Sequence, residues 1–271
     1  MMQIPDPPCG PRFQAIPALA AGGRWRVEAM RSLREPLLLW FTQGQGRITI
    51  AGQTRGYTAH NAIFIPPGTM YGFELTGRVF GTAVHFGRDG AAHDLPLPET
   101  PQHLRIRDTF AQKELQTLVD SAAREAEAGR PAGDRAVRHY LGLVSVWLER
   151  QIALTATAEA GRKPDAAGRL AGRYARLLER DFRSGMGVAE YAAALGVTPT
   201  HLSRACRAAS GRPAHALLQD RVLFEARRLL AETALPVKEV ARSLGFSSPA
   251  YFTRTFQAQT GQTPSEFRRR H

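Results

Sequence analysis

Cysteine is nearly absent: Cys9 and Cys206 are the only two in 271 residues. They fall in different parts of the chain, so neither a disulfide framework nor a cysteine metal site can be built on them. Long apolar runs are also missing, and nothing approaches the ~18 consecutive apolar residues that would span a bilayer. The opening MMQIPDPPCGPRF has no basic segment leading into an apolar one, so no secretory signal is expected. A reducing cytoplasm is the expected location. Acidic residues are in deficit, 24 against 36 Lys and Arg, leaving a formal charge of +12. No Gly-rich phosphate loop, nucleophile elbow or paired-carboxylate motif occurs. These absences argue against an enzyme and favour a polyanionic partner.

The last third of the chain contains one unit twice. At an offset of 49, Val188, Glu190, Ala192, Leu195 and Gly196 fall on Val237, Glu239, Ala241, Leu244 and Gly245. At 50, Leu202, Ser203, Arg204 and Gly211 fall on Phe252, Thr253, Arg254 and Gly261. Each copy reads as a short helix, a turn at Leu-Gly and a second helix. The small Ala lets two helices cross closely, and Gly can take the left-handed conformation that turns the chain. Two such units in register, joined by a helix-sized spacer, are hard to obtain in an ordinary helical bundle. From Gly168 onward 17 Lys and Arg face 8 Asp and Glu, so +9 of the +12 lies here. That is the electrostatic footprint of binding to phosphate backbones.

Within the second copy, Val240, Ala241, Gly245, Phe246, Phe252, Arg254, Phe256, Gly261, Thr263, Pro264, Phe267 and Arg268 follow a family pattern. The segment resembles the DNA-binding domain of AraC-type bacterial transcription regulators, over about a hundred residues. The first copy departs from that pattern. Cys206, Leu217 and Val222 stand where the family usually has Phe, Tyr and Arg, and Arg221 is adjacent to the lost cation.

Residues 25–86 read as short strands punctuated by Gly turns: Trp25–Ala29, Pro36–Phe41, Arg47–Ile50, Asn61–Ile65 and Val79–Phe86. Such spacing suggests a sandwich or barrel. With Ile65-Pro66-Pro67-Gly68-Thr69-Met70-Tyr71, the region is similar to the cupin-type barrel found at the N-terminus of many AraC-type regulators. The metal-ligand set of cupin enzymes is missing: the strand around Gly46–Ile50 has no His, and Tyr71 replaces the second-motif His. No metal and no cofactor are expected. A metal-free barrel can hold a small molecule, for which Arg26, Trp40, Arg47, Tyr71 and His85 are the candidate contacts. Core packing, for the aromatics and His85, and a solvated outer face, for the Arg residues, are the competing readings.

Residues 88–100 read as a polar loop. Helices follow from Asp108 to about Gly129 and from Asp134 to about Ala153, the latter with Val137, Leu141, Val144 and Leu148 in one stripe. That stripe can pack on the barrel or be shared with a second copy, and the resemblance implies a homodimer. A linker is expected at 155–168, then an inward-facing helix over 169–184 and a spacer helix over 214–232.

The expected fold is multidomain, α and β. It comprises a cupin-like β-barrel sensing domain with an N-terminal arm (1–100), a helical pair (101–154), a linker (155–168) and an all-α double helix-turn-helix domain (169–271). The resemblance implies a sequence-specific regulator, an activator controlled by a small-molecule effector, with double-stranded DNA and RNA polymerase as partners and no membrane association. The rivals are a metal-free cupin-type binding protein, a cupin-derived enzyme and a repair alkyltransferase. Recognition helices in successive major grooves must lie about 34 Å apart, which a rigid spacer helix can arrange. Near the start of each second helix, Thr200, Ser203, Arg204 and Arg207, and Ala250, Thr253 and Arg254, are the candidate DNA contacts. Thr198 and Ser247 or Ser248 are the expected N-caps, with Leu202, Phe252 and Phe256 inward.

Overall fold

In the computed structural model, which describes residues 10–88, 94–158 and 165–271, the strand β2 (Leu37–Gln43) is apolar because both of its faces are covered. It lies between β5 (Asn61–Ile65) and β7 (Phe80–His85), with β1 (Arg12–Ala15) and β8 (Gln102–Arg105) at the edges. A second, three-stranded sheet has β3 (Gln45–Ile50) between β4 (Gln53–Thr58) and β6 (Tyr71–Phe73). All pairings are antiparallel. Leu37, Leu39 and Phe41 point between the sheets, onto Ile48, Tyr57, Tyr71 and Phe73. Phe41 and Tyr57 stack with centroids 4.1 Å apart. Leu38 and Trp40, one residue out of phase, point to the other face.

That other face is closed by α2 (Thr109–Ala128) and α3 (Gly133–Ala158). Leu115 and Val119 of α2 and Leu141, Val144, Trp147 and Leu148 of α3 meet Leu38, Trp40, Phe64 and Val84 there. Asp108 caps α2, its carboxylate accepting from the Phe110 and Ala111 amides. The stripe expected on the second helix therefore packs on the five-stranded sheet.

The chain has the expected β-rich N-terminal region and helical C-terminal region, with three corrections to the expected elements. The strands form two sheets and not a closed barrel. Trp25–Glu28, read as an alternating strand, is one turn of helix, α1. Among the described residues no strand pairs with it, and Trp25 instead packs onto the C-terminal helices. The helix α3 continues to Ala158 and the next begins at Ala166, so both ends of the expected linker are helical. Part of that linker, 159–164, and part of the polar loop, 89–93, lie outside the described residues, as does Cys9.

The C-terminal helices are α4 (Ala166–Asp181), α5 (Val188–Ala194), α6 (Pro199–Ser210), α7 (Ala214–Glu232), α8 (Val237–Ser243), α9 (Pro249–Thr260) and α10 (Pro264–Arg270). They share one apolar core, which also takes in Met30 and Met70 from the β-rich part. Trp25 lies against Phe224 of α7 and Phe267 of α10, with centroids 5.7 and 5.9 Å away. The Met30 amide donates to Asp220 at 2.9 Å, and Arg26 pairs with Glu232 at 3.1 Å. Among the described residues no helix is long and apolar enough to cross a membrane.

Candidate nucleic-acid interface

The two helix-turn-helix units are built alike. Leu195 and Leu244 end α5 and α8, and Gly196 (φ 71°) and Gly245 (φ 76°) follow in the left-handed region where a side chain would be strained. The second helices open on matching caps. Thr198 Oγ1 accepts from the His201 amide at 3.2 Å, and Ser248 Oγ accepts from Tyr251 at 3.1 Å. Pro199 and Pro249 then take the first helical position, where no amide is needed. Gly211 and Gly261 close the two helices in the left-handed conformation.

This framing decides which side chains face out. Leu202, Ala205 and Cys206 on α6, and Phe252 and Phe256 on α9, are buried. Thr200, Arg204 and Arg207 are exposed, with Ser203 half-buried between them. On α9, Ala250 and Arg254 are exposed and Thr253 is half-buried. The candidate residues of each helix thus stand at its outer surface in equivalent places. Among the described residues none forms an ion pair or hydrogen bond with the guanidinium groups of Arg204, Arg207 or Arg254. Their guanidinium groups are available to a phosphate or a base edge.

Arg221, adjacent to the lost cation at 222, is buried and carries no such freedom. Its Nε and Nη2 donate to the two oxygens of Glu179 at 2.6 and 3.0 Å, and Nη1 reaches Glu225 at 3.4 Å. Burial alone would push the Glu225 carboxyl up. The hydrogen bond from Arg228 and the charges of Arg221, Arg228 and Arg183 outweigh it and bring the pKa down to about 2. Burial pushes the Cys206 thiol up to about 12, which leaves it an inert core group.

The five candidate effector residues do not gather. Arg26 joins the contact with the C-terminal helices, pairing Glu232 and lying over Trp25. Trp40 faces α2 and donates to Gln116 at 2.8 Å. Arg47 is exposed. Only Tyr71 and His85 reach the space between the sheets. Tyr71 lies under the Arg31 guanidinium at 4.4 Å. His85 Nδ1 is 2.9 Å from Glu35, which also pairs with Arg12. Burial would raise the Glu35 pKa, but His85 and Arg12 together hold it below the ordinary value. A cavity of about 220 Å³ opens elsewhere in this part, lined by Ile48, Ile50, Gln53, Arg55, Gln102 and His103 among others. Its residues come from β3, β4 and β8, and nothing in the local pattern brings them together. Among the described residues, no group of three or more His, Cys, Asp or Glu could hold a metal ion.

Residues 191–270 match the family model described as a helix-turn-helix domain. Over 75 residues the chain is 41% identical to the HTH-type transcriptional regulator GlxA of Rhizobium meliloti, covering 28% of this chain and 23% of that protein. Over 85 residues it is 34% identical to the arabinose operon regulatory protein of Escherichia coli, covering 31% of this chain and 29% of that protein. The matches therefore span under a third of these relatives' length. A structure of ToxT from Vibrio cholerae covers 96% of this chain and 98% of its own, at 10% identity and a TM-score of 0.43, too distant to carry functional weight. The repeat geometry and the family match agree on one region: residues 191–270 of this chain match a helix-turn-helix domain.

Proposed function

We propose that this chain is a sequence-specific DNA-binding regulator of transcription. The observation that carries the reading is the equivalence of two exposed polar surfaces: Thr200, Ser203 and Arg204 on α6, and Ala250, Thr253 and Arg254 on α9. Each sits near the start of a second helix, the part that meets base edges in a major groove. Arg207, a turn further on, lies toward the backbone. An Arg bidentate to guanine contributes about 1–3 kcal/mol of discrimination, and Ala250 suits a thymine methyl.

The finer reading is an activator, working with RNA polymerase and controlled by a small molecule held in the β-rich part. The cavity of about 220 Å³ with its Ile48–Ile50 wall and polar rim supports a compact effector. Homodimerisation is proposed along the outer side of α3, where Leu143 and Leu154 are 52% and 65% exposed and Val146 lies between them. The division into sensing part, helical pair and DNA-binding part belongs to the same proposal.

The test substitutes Arg204→Ala and Arg254→Ala and measures each on a DNA site selected by the wild-type chain and on scrambled DNA, at one salt concentration. A loss of about 5- to 150-fold, confined to the selected site, is expected. Equal loss on both DNAs would reassign the residue to the phosphate backbone.

A further inference from the structure

We propose that Arg221 is a positioning residue for DNA specificity: its cluster with Glu179 and Glu225, together with the Gly185–Gly245 contact, sets the spacing at which the two reading helices engage DNA. This rests on the DNA-binding reading above. The two helix-turn-helix units share one apolar core, and a further connection between them runs through α4 and α7. On one side α4 is bound to the first unit, with Tyr174 edge-on to Tyr191 of α5 at 5.6 Å and the Arg173 guanidinium 3.4 Å from the Leu195 carbonyl. On the other side α7 is bound to the second unit through α10. Arg268 donates to the Leu230 carbonyl at 3.3 Å, and Phe267 packs on Phe256 of α9 at 5.6 Å.

Between α4 and α7 stands the charged cluster. Arg221 grips Glu179 with two donors and Glu225 with a third, while Arg183 and Arg228 close on Glu225 at 2.6 and 2.7 Å. The Arg221 guanidinium also lies 3.8 Å over the Phe182 ring. A few residues on, Gly185 (φ 79°) meets the turn of the second unit backbone to backbone. A Cβ added there would stand 2.6 Å from the Gly245 carbonyl oxygen. Beside this contact lies a cavity of about 350 Å³, lined by Phe182, Met186, Val222, Phe246 and Phe252 among others. Apolar packing leaves space here, so directional hydrogen bonds and a backbone contact hold the angle. The Glu179 carboxylate also accepts from Ser32 Oγ, so the cluster is in touch with the β-rich part.

A base pair inserted between two half-sites turns one by about 34–36° and moves it by about 3.4 Å, which a fixed pair of reading helices cannot follow. The test compares the wild-type chain with Arg221→Lys, which keeps the charge but loses the planar two-donor grip on Glu179. Gly185→Ala, which attacks the backbone contact without touching the charges, is the second variant. Each is titrated on the wild-type-selected DNA and on the same DNA with one base pair inserted or deleted between half-sites, with melting to confirm folding. The wild type is expected to lose at least about tenfold on respaced DNA, and each variant less than about threefold. If Arg221→Lys does not fold, Gly185→Ala decides. An undiminished spacing penalty in the folded variants, or an equal loss at every spacing, overturns the inference alone. A wild-type chain that selects no sequence overturns the DNA-binding reading, and the inference with it.

Discussion

Lowering the pH should dismantle the Glu225 cluster in a measurable window. The carboxyl titrates near 4.5 when unfolded and at about 2 when folded. A depressed carboxylate pKa contributes stability that is fully present above the unfolded value and is lost as pH falls through the folded one. The shift corresponds to about 3 kcal/mol at pH 7, roughly half of that at pH 3, and close to none below pH 2. Glu225→Gln removes the charge while keeping the shape, and a protonated Glu resembles Gln. Urea unfolding of both proteins at 25 °C should therefore show the variant about 3 kcal/mol less stable at neutral pH. That gap should close between pH 4.5 and 2. A gap that stays constant over this window would refute the assignment of Glu225 as a charge held by Arg228, Arg221 and Arg183. Other carboxylates titrate in the same range, but their contribution cancels in the comparison.

Phe252→Ala should cost about 3–5 kcal/mol, because the ring is buried and packed on Phe246 and Phe256 at 5.1 and 5.8 Å; a loss below about 1 kcal/mol in denaturant titration would mean that the second unit is not packed as described. Leu143→Glu should shift sedimentation toward monomer while changing the melting temperature little, since that side chain is exposed; an unchanged sedimentation profile in an assembling wild type would move the dimer contact elsewhere. Arg254→Ala should likewise leave stability within about 0.5 kcal/mol of wild type, whatever its effect on DNA, because no described residue pairs with it.

The C-terminal domain was readable because its information is local. Leu-Gly turns, Ser/Thr-Pro caps and closing glycines sit at fixed offsets, and the spacer helix has the expected ends, Ala214 and Glu232. The β-rich part was readable only where a strand is apolar. β5 has its expected limits, whereas β4 (QTRGYT) is mostly polar and partly exposed, and so carries no strand signal in its sequence. Trp25–Ala29 reads as alternating because a segment this short holds too few residues to tell period 2 from a single helical turn. Trp40, a candidate effector contact in the expected barrel, packs instead toward α2, because the sequence of a strand buried on both faces does not reveal which aromatic goes where. Arg221 illustrates a different gap. Its partner Glu179 is 42 residues away on another helix, and no local period signals such a pair. Sequence comparison with the resembling family shows only a missing cation at Val222, whereas the neighbouring Arg221 links α7 to Glu179 of α4.

The most direct test of the account is the salt dependence of binding to duplex DNA by the full chain. A surface carrying Arg204, Arg207 and Arg254, whose guanidinium groups have no partner among the described residues, on a domain with net charge +9, should release counterions from several phosphates. The logarithm of the binding constant should then fall linearly with the logarithm of salt concentration, with a slope of about −0.9 for each phosphate neutralised. A slope of about −3 or steeper is the predicted result. Binding that is absent at low salt, or flat across the titration, would contradict the assignment of this surface to DNA.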